Sequence, residues 1–385
     1  MKKFKLSVKQ FFRGTDILLL LLCIISSAYG ILLIISATLS DLDYEGFGIS
    51  SSARAMIYAT VIGIVLCIVI SLFNLESIAK LWPIIAVVGF GLMVYTRFFG
   101  FAPEGREDAV SWIRIGSTFF QSSELLKICF IITFSVHLKK VGESINRILP
   151  FIGLCVHGVI AVGLVSWCGD DGSALVFICI FISMIFFAGL KWYYFAGGGV
   201  LTAAGFAAAW HFGIISGYQR ERFLAVLYPD EYSQTTSYQQ NRAISTIGSG
   251  QLTGKGIFSG ERTQSGYVPV SRSDMILSVA GEELGLLGTV LIIILIVSIC
   301  LKIISVATKT QKGISFYICC GVASMIAWQS IINIGMCLRL LPVIGITLPF
   351  FSAGGSSGLC VYLGIGLVMS AYRQTAYRKR SLSIY

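Results

Sequence analysis

Two pairs of charged residues lie inside apolar segments of the chain, where a charge costs about 2.5–3.5 kcal/mol on membrane-insertion scales. Glu124 and Lys127 are three positions apart, so they share one face of a helix and carry opposite signs. They could form a buried structural ion pair, or they could line a substrate cavity. Glu282 and Glu283 are adjacent, so they cannot both face lipid. We expect one of them to face a cavity or a cation such as Lys127, and one could be protonated.

Asp274 stands at the boundary between a long polar segment and a long apolar one. Asp is a favoured N-cap residue, so its role could be to cap the helix that follows. A carboxylate where apolar core meets water could instead act as a general base or bind a cation. The residues alone leave both roles open.

Several basic residues precede Asp274 in a segment that also contains many glycines. They are Arg220, Arg222, Lys255, Arg262 and Arg272. Guanidinium and ammonium groups beside exposed backbone N–H groups suit phosphate or pyrophosphate, although a solvated loop face is the alternative. The sequence has no Walker motif and no GxGxxG after a strand, so nucleotide binding is not supported.

The composition indicates the kind of protein that must position these residues. The chain has 385 residues, of which 56% are apolar and 12% are charged, and its mean hydropathy is +0.83. Soluble globular proteins carry about 25% charged residues, so this chain has too little polar surface for a water-facing globule. It is expected to be an all-α polytopic membrane protein. The net charge of +10 is explained by Lys and Arg residues that orient the protein in the membrane, so no nucleic-acid partner is expected.

Ten apolar segments come close to the roughly 20 residues that a helix needs to cross a bilayer. They are 17–39, 55–73, 81–96, 119–138, 148–167, 173–190, 192–213, 275–301, 314–338 and 356–371. We therefore predict ten transmembrane helices in a single membrane domain, residues 1–385.

The distribution of Lys and Arg predicts the orientation. With ten spans both tails, 1–16 and 372–385, lie on one side, and both are basic. The short loops on the opposite side are acidic or balanced. The positive-inside rule then places both termini in the cytoplasm and the long loop 214–274, between helices 7 and 8, outside. A loop of that length is expected to be folded and functional.

Five motifs, in order along the chain, resemble those of the SEDS family of bacterial peptidoglycan polymerases, the RodA/FtsW/SpoVE group. The first two are SWIRIGSTFFQSSELLK and GDDGSALV. The large loop supplies YQRERFLAVLYPD with SYQQNRAISTIGSGQLTGKG, and SDMILSVAGEELGLLG follows it. The last is NIGMCLRLLPVIGITLPFFSAGGSS. The resemblance covers nearly the whole chain.

The resemblance implies a peptidoglycan glycosyltransferase in the bacterial cytoplasmic membrane. Such an enzyme joins lipid II into glycan strands at the outer face and releases undecaprenyl pyrophosphate. The family's essential carboxylate falls on Asp274. The resemblance and the basic loop together give these expected substrate-binding residues: Trp112, Glu124, Lys127, Arg222, Lys255, Arg262 and Glu283.

The implied partners are the lipid II substrate and a class B penicillin-binding protein, which would supply the transpeptidase. A divalent cation, Mg or Mn, is the one cofactor expected. Two other functions remain open: a lipid II translocator, which would also need the charges of Glu124 and Lys127, and a non-catalytic cell-wall scaffold. The sequence does not distinguish elongation, division and sporulation.

Overall fold

The computed structural model describes residues 14–39, 48–102, 109–116, 118–213, 215, 217–232, 234–235 and 237–382. Its first half contains α1 (Ile17–Ala37), α2 (Ser51–Leu72), α3 (Leu75–Lys80), α4 (Trp82–Phe99), β1 (Trp112–Ile115), β2 (Thr118–Gln121), α5 (Ser122–Val141), α6 (Ile148–Trp167), α7 (Asp171–Ala188) and α8 (Trp192–His211). Its second half contains α9 (Gly217–Leu227), α10 (Tyr238–Ser249), α11 (Glu261–Gln264), α12 (Ile276–Lys309), α13 (Ile314–Cys337) and α14 (Gly355–Leu382). A short 3-10 helix, Gly142–Asn146, joins α5 to α6.

Each of the ten predicted segments contains a helix, and the structure confirms a polytopic helical membrane fold. Within the described part of the chain, eight helices are long and apolar enough to cross a membrane, and α5 and α8 are not among them. The count of ten spans therefore stays a prediction. The N-terminal tail falls almost entirely outside the described residues.

The structure differs from the predicted segments in several places. Residues 118–121 are strand, paired antiparallel with β1, so the fourth helix begins at Ser122 and the fold is not purely helical. The last helix runs to Leu382, past the predicted boundary at 371. The predicted loop 214–274 contains three helices, α9 to α11. Apolar runs mark where a chain meets lipid, whereas helices continue into water until a cap or a turn ends them.

The core is built around α13 and α14, which are the most buried of the eight helices that could cross a membrane. Close backbone contacts hold α14 against α2, because Gly63 faces the Tyr362 ring and Gly366 lies against the backbone of Cys67. The Tyr362 hydroxyl also bonds Ser27 of α1 at 2.9 Å. In contrast, α8 has no buried residue.

The helix α12 is broken at Gly285, where φ is 66° and ψ is −158°. This backbone conformation is essentially restricted to glycine. The break frees carbonyls that a neighbouring segment satisfies: Lys255 N donates to Glu282 O and Gly256 N donates to Glu283 O, both at 2.9 Å. Beyond the break, Leu286 N donates to Gln251 O at 2.9 Å. Residues 276–284 therefore form a buried half-helix, and the remaining 24 residues are long enough to span a bilayer.

Replacing Gly285 with Ala is expected to destabilise the protein by more than about 3 kcal/mol. The new Cβ would lie 2.4 Å from Gly254 N, and the backbone conformation alone costs roughly 1–3 kcal/mol for a residue with a side chain. Gly266→Ala is the matched control, because Gly266 also has positive φ, +63°, but has nothing within 4 Å of the added Cβ. Unfolding in detergent measures both variants, and equal losses would show that the close approach is unimportant.

Candidate active site

The main chain around Asp274 is held by Asn333 of α13 and by Ser352 of the irregular segment between α13 and α14. The Asn333 side-chain amide donates to the carbonyls of Asp274 and Ile346, both at 2.7 Å. The Ser352 hydroxyl donates to Ser273 O at 2.6 Å and accepts from Leu348 N at 2.8 Å. These bonds fix the backbone that carries the Asp274 carboxylate.

The Asp274 side chain does not cap the helix that follows, which is one of the two roles that the sequence leaves open. The helix begins at Ile276, its N-cap residue is Met275, and no side chain of that residue caps it. The half-buried Asp274 carboxyl faces Gly345, where an added Cβ would lie 3.6 Å from Oδ2. Burial raises the pKa of Asp274 to about 6, and a hydrogen bond with Ser273 partly opposes that rise. A carboxylate with this pKa is a stronger base than an exposed one and is still ionised at neutral pH.

The first turn of α7 packs against Ile344, the residue before the Gly345 that faces Asp274. Gly172 approaches Ile344 so closely that an added Cβ would lie 2.3 Å from its carbonyl oxygen. Immediately before this turn, Asp170 caps α7 by accepting from Ser173 N at 3.0 Å. The other oxygen of Asp170, Oδ2, accepts from Gln121 at 2.8 Å and Ser123 at 2.7 Å. Asp170 thus ties β2 and α5 to α7, a role that its sequence position alone did not reveal.

Glu124 and Lys127 form an ion pair of 2.8 Å, and their side chains are only 5% and 1% exposed. The structure therefore confirms the ion pair, and Glu124 lies in the first turn of α5, where an acid is favoured by the helix dipole. The second carboxylate oxygen of Glu124 has no hydrogen-bond partner among the described residues. Both charges lie within electrostatic range of Cys360, in the second turn of α14.

Trp112 lies in β1, opposite Gln121 of β2, and its backbone bonds Phe101 in both directions. The side chain is half-buried. Because Gln121 binds Asp170, the hairpin that carries Trp112 is joined to the end of the helix bundle where Asp170 and the Asp274 segment meet.

Glu282 is fully buried and faces a cation, as expected of one of the two acids, but the cation is Lys255 of the large loop and not Lys127. Its Oε1 accepts from Lys255 Nζ at 2.9 Å and from Arg262 N at 3.1 Å. Its Oε2 accepts from the backbone and hydroxyl of Thr263, at 2.7 and 2.8 Å. The hydrogen bond to Glu282 raises the pKa of Lys255. The carboxylate thereby anchors α11 and residues 250–256 to the half-helix of α12.

Glu283 points to another neighbour, although it is adjacent in sequence. Its Oε1 accepts from the Ser36 hydroxyl of α1 at 2.5 Å and from Gln264 at 3.3 Å. Gln264 also donates to Ser36 O at 3.1 Å. Glu283 is therefore a link between α1, α11 and α12.

Other basic residues of the loop are spread over three helices, α9 to α11. Arg222 lies half-buried on α9. Arg262 lies 5.3 Å from the Tyr267 ring and donates to Ser245 at 2.5 Å. Arg242, which the sequence did not single out, stacks between Tyr238 and Tyr267, with its guanidinium carbon 4.1 and 4.4 Å from the ring centroids.

Across the described part of the chain there is no group of three or more His, Cys, Asp or Glu residues that could hold a metal ion. A divalent cation beside Asp274 would have that one carboxylate as a ligand and would take its other ligands from substrate and water. That arrangement fits Mg, which is commonly held by one or two carboxylates together with substrate phosphates. The expected cation stays a prediction.

The fold and the fixed backbone at Asp274 define a polytopic membrane protein with a candidate active site at one end of its helix bundle. The chain belongs to the FtsW/RodA/SpoVE family of cell cycle proteins, whose family model matches residues 16–377. This confirms the resemblance seen in the motifs.

The curated relatives match over most of the chain. It is 29% identical over 371 residues to a probable peptidoglycan glycosyltransferase FtsW of Geobacter metallireducens, covering 95% of this chain and 96% of the relative. It is 27% identical over 368 residues to stage V sporulation protein E of Bacillus subtilis, covering 94% and 98%. It is 28% identical over 306 residues to the peptidoglycan glycosyltransferase MrdB of Escherichia coli K12, covering 78% and 80%.

Solved structures show the same fold. One, from work on the structural coordination of polymerization and crosslinking by a peptidoglycan synthase complex, superposes with a TM-score of 0.78 at 24% identity, covering 94% of this chain and 98% of that chain. The rod shape determining protein RodA of Thermus thermophilus gives a TM-score of 0.68 at 22% identity, covering 94% and 97%.

Proposed function

We propose that this protein is a peptidoglycan glycosyltransferase that polymerises lipid II into glycan strands and releases undecaprenyl pyrophosphate. The curated relatives named as peptidoglycan glycosyltransferases support the activity. The observation that assigns the activity to a residue is the geometry of Asp274. Its carboxyl is half-buried with a raised pKa, and its backbone is fixed by Asn333 and Ser352.

The chemistry assigns Asp274 the part of general base. A hydroxyl of the acceptor sugar attacks the anomeric carbon of the donor, so a new C–O bond forms there. The bond between that carbon and the pyrophosphate oxygen breaks, and the lipid pyrophosphate leaves with the bonding electrons. The hydroxyl proton passes to Asp274, which facilitates attack. The carboxyl then returns this proton to water.

The departing pyrophosphate gains negative charge, which cationic side chains stabilise. Lys127, Arg222, Lys255 and Arg262 are the proposed contacts, with Trp112, Glu124 and Glu283 completing the substrate-binding set. Lys255 and Glu283 already bind Glu282 and Ser36, which supports a role in positioning the loop over the substrate. A divalent cation, Mg or Mn, would neutralise part of the same phosphate charge.

The orientation is part of the proposal. Both termini lie in the cytoplasm, and the loop that carries α9 to α11 lies outside, as the basic tails and the positive-inside rule indicate. A class B penicillin-binding protein is the proposed partner for crosslinking. The match to a structure from a peptidoglycan synthase complex supports that partner.

The direct test is incubation of the purified protein with lipid II, alone and with a class B penicillin-binding protein. Glycan strands separated by gel would support the enzyme. Product in neither reaction, from a folded protein that moves lipid II across proteoliposome membranes, would favour the translocator. Neither product nor transport would favour the scaffold.

The rate of polymerisation should depend on pH through Asp274. A general base must be deprotonated, so the rate should rise with pH, reach half its plateau near pH 6, and level off above pH 7. Initial rates between pH 5 and 8 at constant ionic strength test this. A profile that is flat across this range would contradict the assignment.

A further inference from the structure

The end of the bundle remote from Asp274 contains a cavity of about 820 Å³ that the proposed reaction does not use. Four parts of the chain line it. They are the junction between α2 and α3, the C-terminal end of α5, the turn from α12 to α13, and the C-terminal half of α14. Its size is that of a typical small-ligand site. On the proposed orientation this is the cytoplasmic face.

The lining of the cavity is cationic. Lys139, Lys309 and Lys312 line it, and Glu76 is the one acidic residue in the lining. None of these lysines makes an ion pair with another described residue. Lys139 and Lys309 are in the last turns of α5 and α12, where a positive charge also favours the helix dipole. That explanation accounts for each lysine separately, but not for their convergence on one cavity with Lys312.

The remaining lining supplies hydrogen-bond donors. Asn74, Ser315 and Gln374 contribute polar side chains, whereas the Thr375 hydroxyl donates within its own helix to Ala371 O. The first turn of α13 also faces the cavity, and Gly313 has no side chain to cap it. The first backbone bond of this helix runs from Tyr317 N to Gly313 O at 3.1 Å, so the amides before it have no helical partner.

We propose that this cavity, lined by Lys139, Lys309 and Lys312, binds a phosphate-bearing ligand. Three ammonium groups, several neutral donors and a helix N-terminus together match the charge and the acceptor oxygens of a phosphate. Basic pockets between membrane helices on the cytoplasmic side bind anionic lipid head groups, and Ile314 and Ala371 add apolar lining for such a molecule. The phosphate could belong to an anionic phospholipid or to a soluble phosphate.

The test uses the purified full-length chain in detergent. Native mass spectrometry during titration with phosphatidylglycerol or phosphatidylcholine measures the lipid source. Calorimetry with inorganic phosphate and glycerol 3-phosphate measures the soluble source. The cavity variant is Lys309→Gln with Lys312→Gln. The control is Lys80→Gln with Lys140→Gln, which removes two exposed lysines at the same end of the bundle that do not line the cavity.

We expect the cavity variant to bind phosphatidylglycerol roughly tenfold more weakly than the unchanged protein, and the control to change less than twofold. Phosphatidylcholine should bind weakly to all three. A loss confined to inorganic phosphate or glycerol 3-phosphate would assign the site to a soluble ligand. Equal loss in the two variants would overturn the proposal in favour of general surface charge, as would no loss in either. Equal melting temperatures without ligand establish that both variants are folded.

Discussion

Asp274→Asn should reduce the rate of lipid II polymerisation by about 10²- to 10⁴-fold, the range that general acid–base groups contribute. Asparagine keeps the size and the hydrogen-bonding backbone of the residue, so the clamp by Asn333 and Ser352 should persist. The amide cannot accept the hydroxyl proton at neutral pH. Lipid II affinity should change little, because the group acts on the transition state.

Gel analysis of glycan strands over time measures this effect. Asp230→Asn is the matched control, because it removes the same charge from an exposed position of the same loop. It should retain full activity. Polymerisation by Asp274→Asn at the unchanged rate, or a comparable loss in the control, would show that the base lies elsewhere.

Glu282→Ala should destabilise the protein by about 3–5 kcal/mol, the usual cost of removing one member of a buried ion pair. The carboxylate is fully buried, and its loss leaves the amides of Arg262 and Thr263 without their acceptor and Lys255 without its closest counter-charge. Hydrogen exchange should rise most over residues 250–264. Polymerisation should fall with it, since Lys255 and Arg262 belong to the proposed substrate-binding set.

Glu261→Ala provides the control for that variant. Glu261 also approaches Lys255, at 3.6 Å, but its side chain is 89% exposed. Exposed ion pairs contribute at most about 1 kcal/mol, so the loss of stability should be small. Unfolding in mixed detergent–SDS micelles compares the two variants, and similar losses would mean that burial of Glu282 does not matter.

The helices could be predicted from the sequence because an apolar run is a local signal. The ion pair of Glu124 and Lys127 was predictable for the same reason, since a spacing of three residues fixes their relative position on a helix. The hairpin was missed because each strand has only four residues and depends on its partner. Asp274 was found from its place at an apolar boundary.

The acids of α12 show where sequence reasoning fails. Glu282 and Glu283 look equivalent in sequence, but one binds Thr263 in the loop and the other binds Ser36 of the first helix. These contacts join residues 19 and 247 positions apart, so no local pattern encodes them. The break at Gly285 could not be predicted from the sequence either. Gly281 and Gly288 lie nearby in regular helix, and only the structure shows which glycine breaks it.

The break in α12 also has a consequence for protein engineering. The carbonyls and amides that the break exposes, on both sides of Gly285, form hydrogen bonds with the backbone of residues 251–256. Neither segment can be exchanged alone without leaving buried polar groups unsatisfied. A chimera that exchanges the large loop between relatives should therefore place its downstream junction after Leu287. The loop and the half-helix are then exchanged together.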